Sequence, residues 1–219
     1  MFVLGDSASM NLHTQTPPPP SFGLSVTGST QLGCDLLGGS LIVNDVPQRV
    51  LPVCARWPAT WRAQLAGARP GVALLMTGNG FLFDRDLDGR RITFGSAEYR
   101  DLLRTFLDRT LKELAAVAPV VAVTDLGCFG KQDTGLDDTA TVMDDVGRQR
   151  AFNAMLREVL SRHPAVRTLA LRAFTCPQGR YEPALDGVRL HVDGVHWTPG
   201  GARLVWSWLA PRLHALTPG

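Results

Sequence analysis

Short apolar runs of strand length recur along the chain and alternate with stretches that have helical spacing. Strands buried on both faces of a parallel sheet appear in a sequence as nearly continuous hydrophobic runs. Three runs have this character, and a fourth segment alternates between apolar and polar positions. With a further strand at residues 166–172, the predicted strands are residues 2–4, 23–27, 72–76, 120–124 and 166–172.

Helical patterns fill most of the intervals between these strands. A helix is predicted over residues 57–66 with Pro58 in its first turn, where proline is well tolerated. Ser96 is a predicted N-cap, and apolar residues follow it at helical spacing. Further helices are predicted over residues 146–162 and from Pro199 onward. Alternating strands and helices predict an α/β domain of three layers with a mostly parallel sheet and right-handed crossovers.

Less regular segments join these elements. Residues 42–43 and 50–51 suggest a small hairpin, and residues 130–145 read as a polar loop. The segment 84–89 resembles the opening of a calcium-binding loop, but Gly95 stands where a bidentate glutamate is required. A solvent-exposed turn is therefore expected at residues 84–89.

The composition fits one globular domain over residues 1–219. Hydrophobic residues make up 45% of the chain, which is long enough for a substantial core. The 22 basic and 20 acidic residues are dispersed, so no nucleic-acid or anionic-membrane surface is indicated. The sequence does not indicate an oligomeric state. Met1 directly precedes the first strand, which is short for a central strand, and we expect the chain to be a domain excised from a larger protein.

The strongest candidate for chemistry joins the two ends of the chain. Ser7 follows the first strand in the segment Gly5-Asp6-Ser7, where a helix can begin. Serine becomes a nucleophile when a histidine takes its proton and a carboxylate orients that histidine. Asp193 and His196 supply both groups from one segment before the last helix. Because a parallel sheet gathers the carboxyl ends of its strands at one edge, these residues can meet despite their separation.

Each part of this set also has an ordinary interpretation. Glycine, aspartate and serine are common turn and N-cap residues, and Asp193 with His196 can be a simple surface pair. His191, Asp193 and His196 could instead ligate a metal, but no fourth ligand with suitable spacing is evident, and no metal or cofactor is predicted. Two further loops contain candidate ligand-binding residues. These are Gly33, which follows the second strand, and Asn79, which follows the third.

The four cysteines leave several arrangements open. No Cys-x-x-Cys pair occurs, which argues against zinc and thioredoxin-like sites. Two disulfides or four buried thiols remain, and four cysteines allow three pairings. Spacing does not choose among them for Cys34, Cys54, Cys128 and Cys176.

Taken in order, four blocks of the chain resemble the SGNH/GDSL hydrolase family. They are residues 2–7 (Phe-Val-Leu-Gly-Asp-Ser), Gly33, Gly78-Asn79 and residues 193–202, which begin Asp-Gly-Val-His-Trp-Thr. The resemblance implies a flavodoxin-like fold with a central, mostly parallel five-stranded sheet, and acyl cleavage or transfer through an acyl-serine.

The same resemblance assigns roles to individual residues. It makes Ser7 the nucleophile, His196 the base and Asp193 the partner of the base. It forms the oxyanion hole from the N–H groups of Ser7 and Gly33 and the side chain of Asn79. One position departs from the pattern, because the family has Gly-x-Asn where this chain has Gly78 directly before Asn79. A shift of one residue in a loop re-aims a side chain, so this departure bears on the role of Asn79.

A narrower resemblance is to SGNH domains attached behind bacterial acyltransferase-3 membrane domains, which modify envelope carbohydrates or glycolipids with small acyl groups. The supporting residues are the Gly33-Cys34 pair, the turn at residues 84–89 and the segments around Cys54, Cys128 and Cys176. It implies the disulfides Cys34–Cys54 and Cys128–Cys176, an extracytoplasmic location as part of a membrane protein, and an associated membrane acyltransferase domain.

Two functions follow from the sequence. The first is a serine-dependent O-acetyltransferase or esterase acting on cell-envelope carbohydrate or glycolipid. The second is a non-catalytic glycan- or partner-binding domain that retains the fold, and the irregular block at Asn79 is the reason to consider it.

Overall fold

The computed structural model describes residues 1–34, 36–130 and 140–216. Eleven strands lie in these ranges. In chain order they are β1 (Phe2–Gly5), β2 (Thr27–Thr30), β3 (Ser40–Val43), β4 (Val46–Pro47), β5 (Val72–Met76), β6 (Arg85–Leu87), β7 (Arg90–Ile92), β8 (Val120–Thr124), β9 (Arg167–Leu169), β10 (Ala184–Leu185) and β11 (Val188–Arg189).

Seven α-helices and three short helical turns accompany the strands in the same ranges. The α-helices are α1 (Ser7–Met10), α2 (Pro52–Ala68), α3 (Ala97–Ala115), α4 (Ala140–Met143), α5 (Val146–Leu160), α6 (Leu171–Thr175) and α7 (Pro199–His214). The turns are a π-helical turn at Asn11–Gln15 and 3-10 turns at Pro20–Phe22 and Asn79–Leu82.

The central sheet has five parallel strands in the order β2-β1-β5-β8-β9. Side chains alternate between its two faces. Phe2 and Leu4 of β1 join the core beneath α2, α3 and α5, whereas Val3 joins the core beneath α7. The molecule thus has helices on both faces of a parallel sheet, which confirms the predicted three-layer α/β fold with five strands.

A smaller antiparallel sheet follows the second strand of the main sheet. Its order is β4-β3-β6-β7. Strands β3 and β4 are joined by Asn44 and Asp45, which both have positive φ angles, as a tight hairpin turn requires. The predicted hairpin between residues 42–43 and 50–51 was therefore wrong in its second strand, because Leu51 lies beyond β4 as the N-cap of α2.

Three other boundaries differ from the prediction. Strand β2 begins at Thr27, because the register with β1 pairs Phe2 with Thr27. Helix α2 begins at Pro52, so Pro52 occupies the first turn and Pro58 lies inside the helix. The strand predicted over residues 166–172 ends at Leu169, and α6 follows. Part of the loop predicted over residues 130–145 lies outside the described residues, and its end forms α4.

The segment 84–89 is not simply an exposed turn. Asp84 is 6% exposed and Arg85 is fully buried, and only the tip at Asp88 and Gly89 turns in solvent. Asp84 accepts hydrogen bonds from Arg91 and from the backbone N–H of Phe94, and Arg148 lies nearby. The prediction failed because a charged run was assumed to be solvated, whereas these charges are paired.

Candidate active site

The strand-to-helix junction at the start of the chain presents the serine. Strand β1 ends at Gly5, Asp6 is the N-cap of α1, and Ser7 is its first residue. The Oδ1 atom of Asp6 accepts a hydrogen bond of 3.0 Å from the N–H of Ala8. A Cβ atom on Gly5 would lie 2.1 Å from the Oγ atom of Ser9, so only glycine fits this tight junction. Ser7 itself is partly exposed.

The structure brings Ser7, His196 and Asp193 together. The Oγ atom of Ser7 lies 3.0 Å from Nε2 of His196, and Nδ1 of His196 lies 2.6 Å from Oδ2 of Asp193. With the proton on Nδ1, the ring donates to Asp193, and Nε2 is free to accept the serine proton. The arrangement can therefore deprotonate a serine hydroxyl and stabilise the imidazolium that results.

The loop that carries Asp193 and His196 is closed at its base. His191 and Trp197 form an antiparallel bridge, and the N–H of Val192 donates to the carbonyl of His196 at 2.8 Å. The ring centroids of His191 and Trp197 lie 4.4 Å apart. The loop cannot open without breaking these contacts, so the imidazole of His196 and the carboxylate of Asp193 are held as one unit.

Asp193 also organises the backbone of its own loop. Its Oδ1 atom accepts hydrogen bonds from the N–H groups of Val195 at 3.0 Å and His196 at 2.8 Å. Burial by itself raises the pKa of this carboxyl. The hydrogen bonds from the backbone and ring of His196 and from the backbone of Val195 outweigh burial and hold the pKa of Asp193 below its ordinary value. Asp193 is therefore ionised at neutral pH, as a partner of a protonated base must be.

A cavity of about 560 Å³ opens beside Ser7. We name it the flap-side cavity, where the flap is the small antiparallel sheet β4-β3-β6-β7. Its lining includes Ser7, His196, Gly33, Cys34, Arg49 and Asn79. Gly33 and Asn79, both predicted for the oxyanion hole, thus face the same cavity as the serine. Gly33 has a φ angle of +70°, which favours glycine at this turn. The amide Nδ2 of Asn79 lies 3.3 Å from the sulfur of Met143.

A second groove, of about 480 Å³, meets the first at the serine. We name it the helix-side groove, and its lining includes Ser7, His196, Met10, Asn11, Gln15 and Trp197. It follows α1 and the π-helical turn away from Ser7. Nothing in the sequence marked this groove, because Asn11 and Gln15 read there as ordinary helix residues.

Arg85 is a further residue that the sequence did not single out. Its guanidinium is buried and donates to the carbonyl of Gly38 at 3.0 Å and to the carbonyl of Gly80 at 2.6 Å. Gly80 directly follows Asn79, so Arg85 ties the loop of Asn79 to the segment before β3. The charged run around Arg85 gave no signal of this role, because burial of a charge depends on tertiary partners.

Two disulfides stabilise the regions around the cavities. The bond Cys34–Cys54 joins the residue after Gly33 to the first turn of α2, and the bond Cys128–Cys176 joins the segment after β8 to the end of α6. These are the pairings that the resemblance implies. The first bond fixes the segment that forms one wall of the flap-side cavity.

The described ranges contain no group of three or more His, Cys, Asp or Glu side chains arranged to hold a metal ion. His191, considered from the sequence as a metal ligand, is 1% exposed and packs between Tyr181 and Trp197. None of the helices in the described part of the chain combines the length and apolar character needed to cross a bilayer.

A three-layer α/β domain with serine, histidine and aspartate in this geometry has the form of a serine-hydrolase site at the carboxyl edge of a parallel sheet. The comparison with known families gives the specific family. The family model described as "SGNH domain (fused to AT3 domains)" matches residues 1–211, and the chain belongs to that family. This confirms the resemblance seen in the sequence.

Solved structures of esterases and lipases share the fold. A GDSL-like lipase from Bacteroides thetaiotaomicron superposes with a TM-score of 0.59 at 11% identity, covering 98% of this chain and 87% of that one. The acetyl xylan esterase AlAXEase gives 0.56 at 13% identity, with 97% and 100% coverage. The acetylxylan esterase Axe2 from Geobacillus stearothermophilus gives 0.52 at 12% identity, with 97% and 92% coverage. No curated protein sequence matches the chain significantly.

Proposed function

We propose that the protein is a serine-dependent esterase or O-acyltransferase that acts on acylated carbohydrate or glycolipid of the cell envelope through an acyl-serine intermediate. The observation that carries this proposal is the distance of 3.0 Å between Ser7 Oγ and His196 Nε2, with Asp193 bonded to the far side of the ring. A serine with these two partners at these atoms has what nucleophilic attack on an ester requires.

The first half of the reaction acylates the serine. Ser7 Oγ attacks the ester carbonyl while Nε2 of His196 takes the hydroxyl proton. The tetrahedral intermediate collapses, the bond to the alcohol oxygen breaks, and His196 gives its proton to the departing alcohol. The second half reverses these roles with water in hydrolysis, or with a sugar hydroxyl in transfer, and it regenerates the serine.

The flap-side cavity supplies the groups for the negative charge of the intermediate. The N–H groups of Ser7 and Gly33 and the amide of Asn79 are the proposed donors, and all three residues line that cavity. Ser7 is the first residue of a helix, so its N–H has no acceptor within the helix. Donors fixed in place before the reaction are the most effective means of stabilising such a charge.

The proposed substrate class rests on the relatives. Two of the structural neighbours are named as acetyl xylan esterases, and the family is described as fused to AT3 domains. An acetylated carbohydrate outside the cytoplasm, with an associated membrane acyltransferase domain, fits both. Two disulfides fit an oxidising compartment, where such bonds persist. The two grooves at Ser7 leave room for a substrate larger than the acyl group itself.

Mass spectrometry of the intact protein tests the reaction class. After incubation with 4-nitrophenyl acetate, we expect an added acetyl group that peptide mapping places on Ser7. The variant Ser7→Ala should gain no acetyl group, because the nucleophilic oxygen is missing. The matched control is Ser207→Ala, which removes an exposed helical serine that bonds only the carbonyl of Arg203 and should be acetylated like the unmodified protein.

Acetylation that persists in Ser7→Ala would contradict the role of Ser7. Binding of xylan or glycolipid that is unchanged in Ser7→Ala, in a protein that neither becomes acetylated nor releases nitrophenol, would instead favour the non-catalytic binding function.

A further inference from the structure

Two cavities, and not one, meet at the reacting atoms. Ser7, His196 and Leu32 belong to the linings of both the flap-side cavity and the helix-side groove. Apart from these shared residues, the two linings differ. Gly33 and Asn79 face only the flap-side cavity, whereas Asn11, Gln15 and Trp197 face only the helix-side groove.

This division matches the two sides of an acyl-transfer reaction. The carbonyl oxygen of the ester must point to the oxyanion donors, which lie in the flap-side cavity. The alcohol oxygen, whether it leaves or attacks, must instead lie within proton-transfer reach of Nε2 of His196. The helix-side groove contains His196 and Ser7 but lacks Gly33 and Asn79. It therefore offers a place for the alcohol that does not compete with the carbonyl for the same donors.

One side chain in the lining of the helix-side groove has an amide oxygen without a partner among the described residues. Asn11 lies one helical turn after Ser7 and is 8% exposed. Its Nδ2 atom donates to Oε1 of Gln15 at 2.7 Å. Its Oδ1 atom is buried and accepts no hydrogen bond from any described residue. A buried acceptor without a donor is costly, so a turn of the amide toward the groove that let it meet a hydroxyl group would be favourable.

Three polar side chains of the helix-side groove lie along one face of the helical segment. Ser7, Asn11 and Gln15 recur every four residues, so they occupy neighbouring positions on one face of the helical segment. The lining also includes Val192 and Trp197 of the loop before α7 and Pro199 at the start of that helix. A molecule in the groove that places one hydroxyl at Ser7 therefore extends over Asn11 and Gln15.

We propose that the helix-side groove is the subsite for the acceptor of the acyl group, a carbohydrate whose reacting hydroxyl lies at His196. A neighbouring hydroxyl of this carbohydrate donates to Oδ1 of Asn11 once the amide has turned toward the groove. This proposal rests on the function proposed above. In the transfer step, Nε2 of His196 takes the proton of the sugar hydroxyl, and the sugar oxygen attacks the acyl carbonyl. The bond from the acyl carbon to Ser7 Oγ then breaks, and Oγ receives the proton back from His196.

The ratio of acetyl transfer to hydrolysis measures whether this subsite binds the acceptor. The acetyl donor is 4-nitrophenyl acetate, and the acceptors are the methyl glycosides of glucose, mannose and N-acetylglucosamine. In the unmodified protein we expect an acetylated glycoside from at least one acceptor, detected by mass spectrometry. In Asn11→Ala we expect the ratio of transfer to hydrolysis to fall about tenfold, the usual effect of one lost hydrogen bond.

A second variant and a control separate the subsite from general damage. Gln15→Ala removes the partner of Asn11 from an exposed position and should lower the same ratio while the thermal midpoint is retained. Gln64→Ala removes an exposed glutamine from α2 and should leave the ratio unchanged. Equal ratios in the three variants, or a parallel loss of transfer and hydrolysis, would overturn the proposal. So would the absence of any acetylated glycoside from a protein that does acetylate Ser7.

Binding to Ser7→Ala gives a readout that does not depend on turnover. Addition of the same glycosides should shift the NMR signals of the side-chain amides of Asn11 and Gln15. Shifts confined to the flap-side cavity, at Gln48 or Asn79, would overturn the placement of the acceptor even if acetyl transfer occurs. If Ser7 is never acetylated but the glycosides shift the amides of Asn11 and Gln15, the catalytic proposal fails and the carbohydrate subsite stands.

Discussion

The carboxylate of Asp6 lies directly against the α-carbon of Gly78. A Cβ atom added to Gly78 would lie 1.7 Å from Oδ2 of Asp6, far inside contact distance. Asp6 is the N-cap of α1 and Gly78 precedes Asn79, so this contact joins the loop of Ser7, the proposed nucleophile, to the loop of the proposed amide donor. Glycine is required here by space and not by backbone angle, because φ of Gly78 is −119°.

Gly78→Ala should therefore destabilise the protein by about 1–3 kcal/mol, the range for a methyl group forced into a packed site. It should also lower turnover of 4-nitrophenyl acetate, because Asp6 must move and carries the start of α1 with it. Urea denaturation measures the free energy of unfolding. Gly71→Ala is the control, since its Cβ would have no atom within 4 Å. Equal stability of the two variants would contradict the steric argument.

Asn79→Ala tests the third oxyanion donor. Loss of one such donor typically raises the barrier by about 2.7–4 kcal/mol, so kcat should fall about 100- to 1000-fold with little change in KM. Steady-state kinetics with an acetyl ester measures both constants. Asn153→Ala removes a different amide, which is buried and bonds the backbone of Leu126, and should lower stability more than kcat. A kcat within twofold of the unmodified value in Asn79→Ala would exclude the amide from the oxyanion hole.

Acid should weaken the protein through His191. Burial is the main cause that lowers the pKa of His191 to about 4; the charge of Asp193 raises it and that of His196 lowers it. The unfolded chain therefore binds a proton between about pH 6.5 and pH 4 that the folded protein does not. The neutral form of His191 contributes its full stabilisation above pH 6.5. About 3 kcal/mol of the free energy of unfolding is lost as the pH falls toward 4.

His191→Phe should remove that pH dependence while keeping a ring between Tyr181 and Trp197. Urea denaturation at pH 7, 6, 5 and 4 gives the slope of stability against pH. The control His163→Gln removes an imidazole that bonds Asp108 and leaves His191 in place, so the slope should persist. An unchanged slope in His191→Phe would show that other groups set the acid limit.

The disulfide beside Gly33 should matter for substrate binding as well as stability. Replacing Cys34 and Cys54 by alanine frees a loop with a sequence separation of 20, which corresponds to about 3 kcal/mol. KM for an acetylated carbohydrate should rise, because Cys34 and Cys54 line the flap-side cavity. The comparison is the double alanine variant of Cys128 and Cys176, whose separation of 48 corresponds to about 4 kcal/mol and whose KM should not change. Equal KM values in both variants would contradict a role for the first bond in the cavity.

The apolar pattern predicted the parts of the fold that depend on local sequence. The runs at β5 and β8 are buried on both faces, and their limits were predicted correctly. The predicted position of β2 was wrong because its residues are only partly buried at the sheet edge. The register with β1, not hydrophobicity, sets where pairing begins.

The candidate site was predictable where it follows element boundaries. Ser7 follows the end of a strand and His196 precedes a helix, and parallel sheets bind their ligands at such positions. The structure brings these two side chains into contact. Asn11 and Arg85 were not predictable as parts of the site, because the groove that Asn11 lines and the carbonyl of Gly38 that Arg85 bonds involve distant segments. The sequence shows a polar residue at each position but not what surrounds its polar atoms after folding.

The last helix reaches both halves of the site. The indole Nε1 of Trp206 in α7 donates to the carbonyls of Leu12 and Thr16, which lie at the end of the helical segment that begins at Ser7. The same helix continues directly from the loop of His196. A shift of α7 would therefore carry the serine and the imidazole in the same direction, so this helix links two side chains that are 3.0 Å apart in space and 189 positions apart in the sequence.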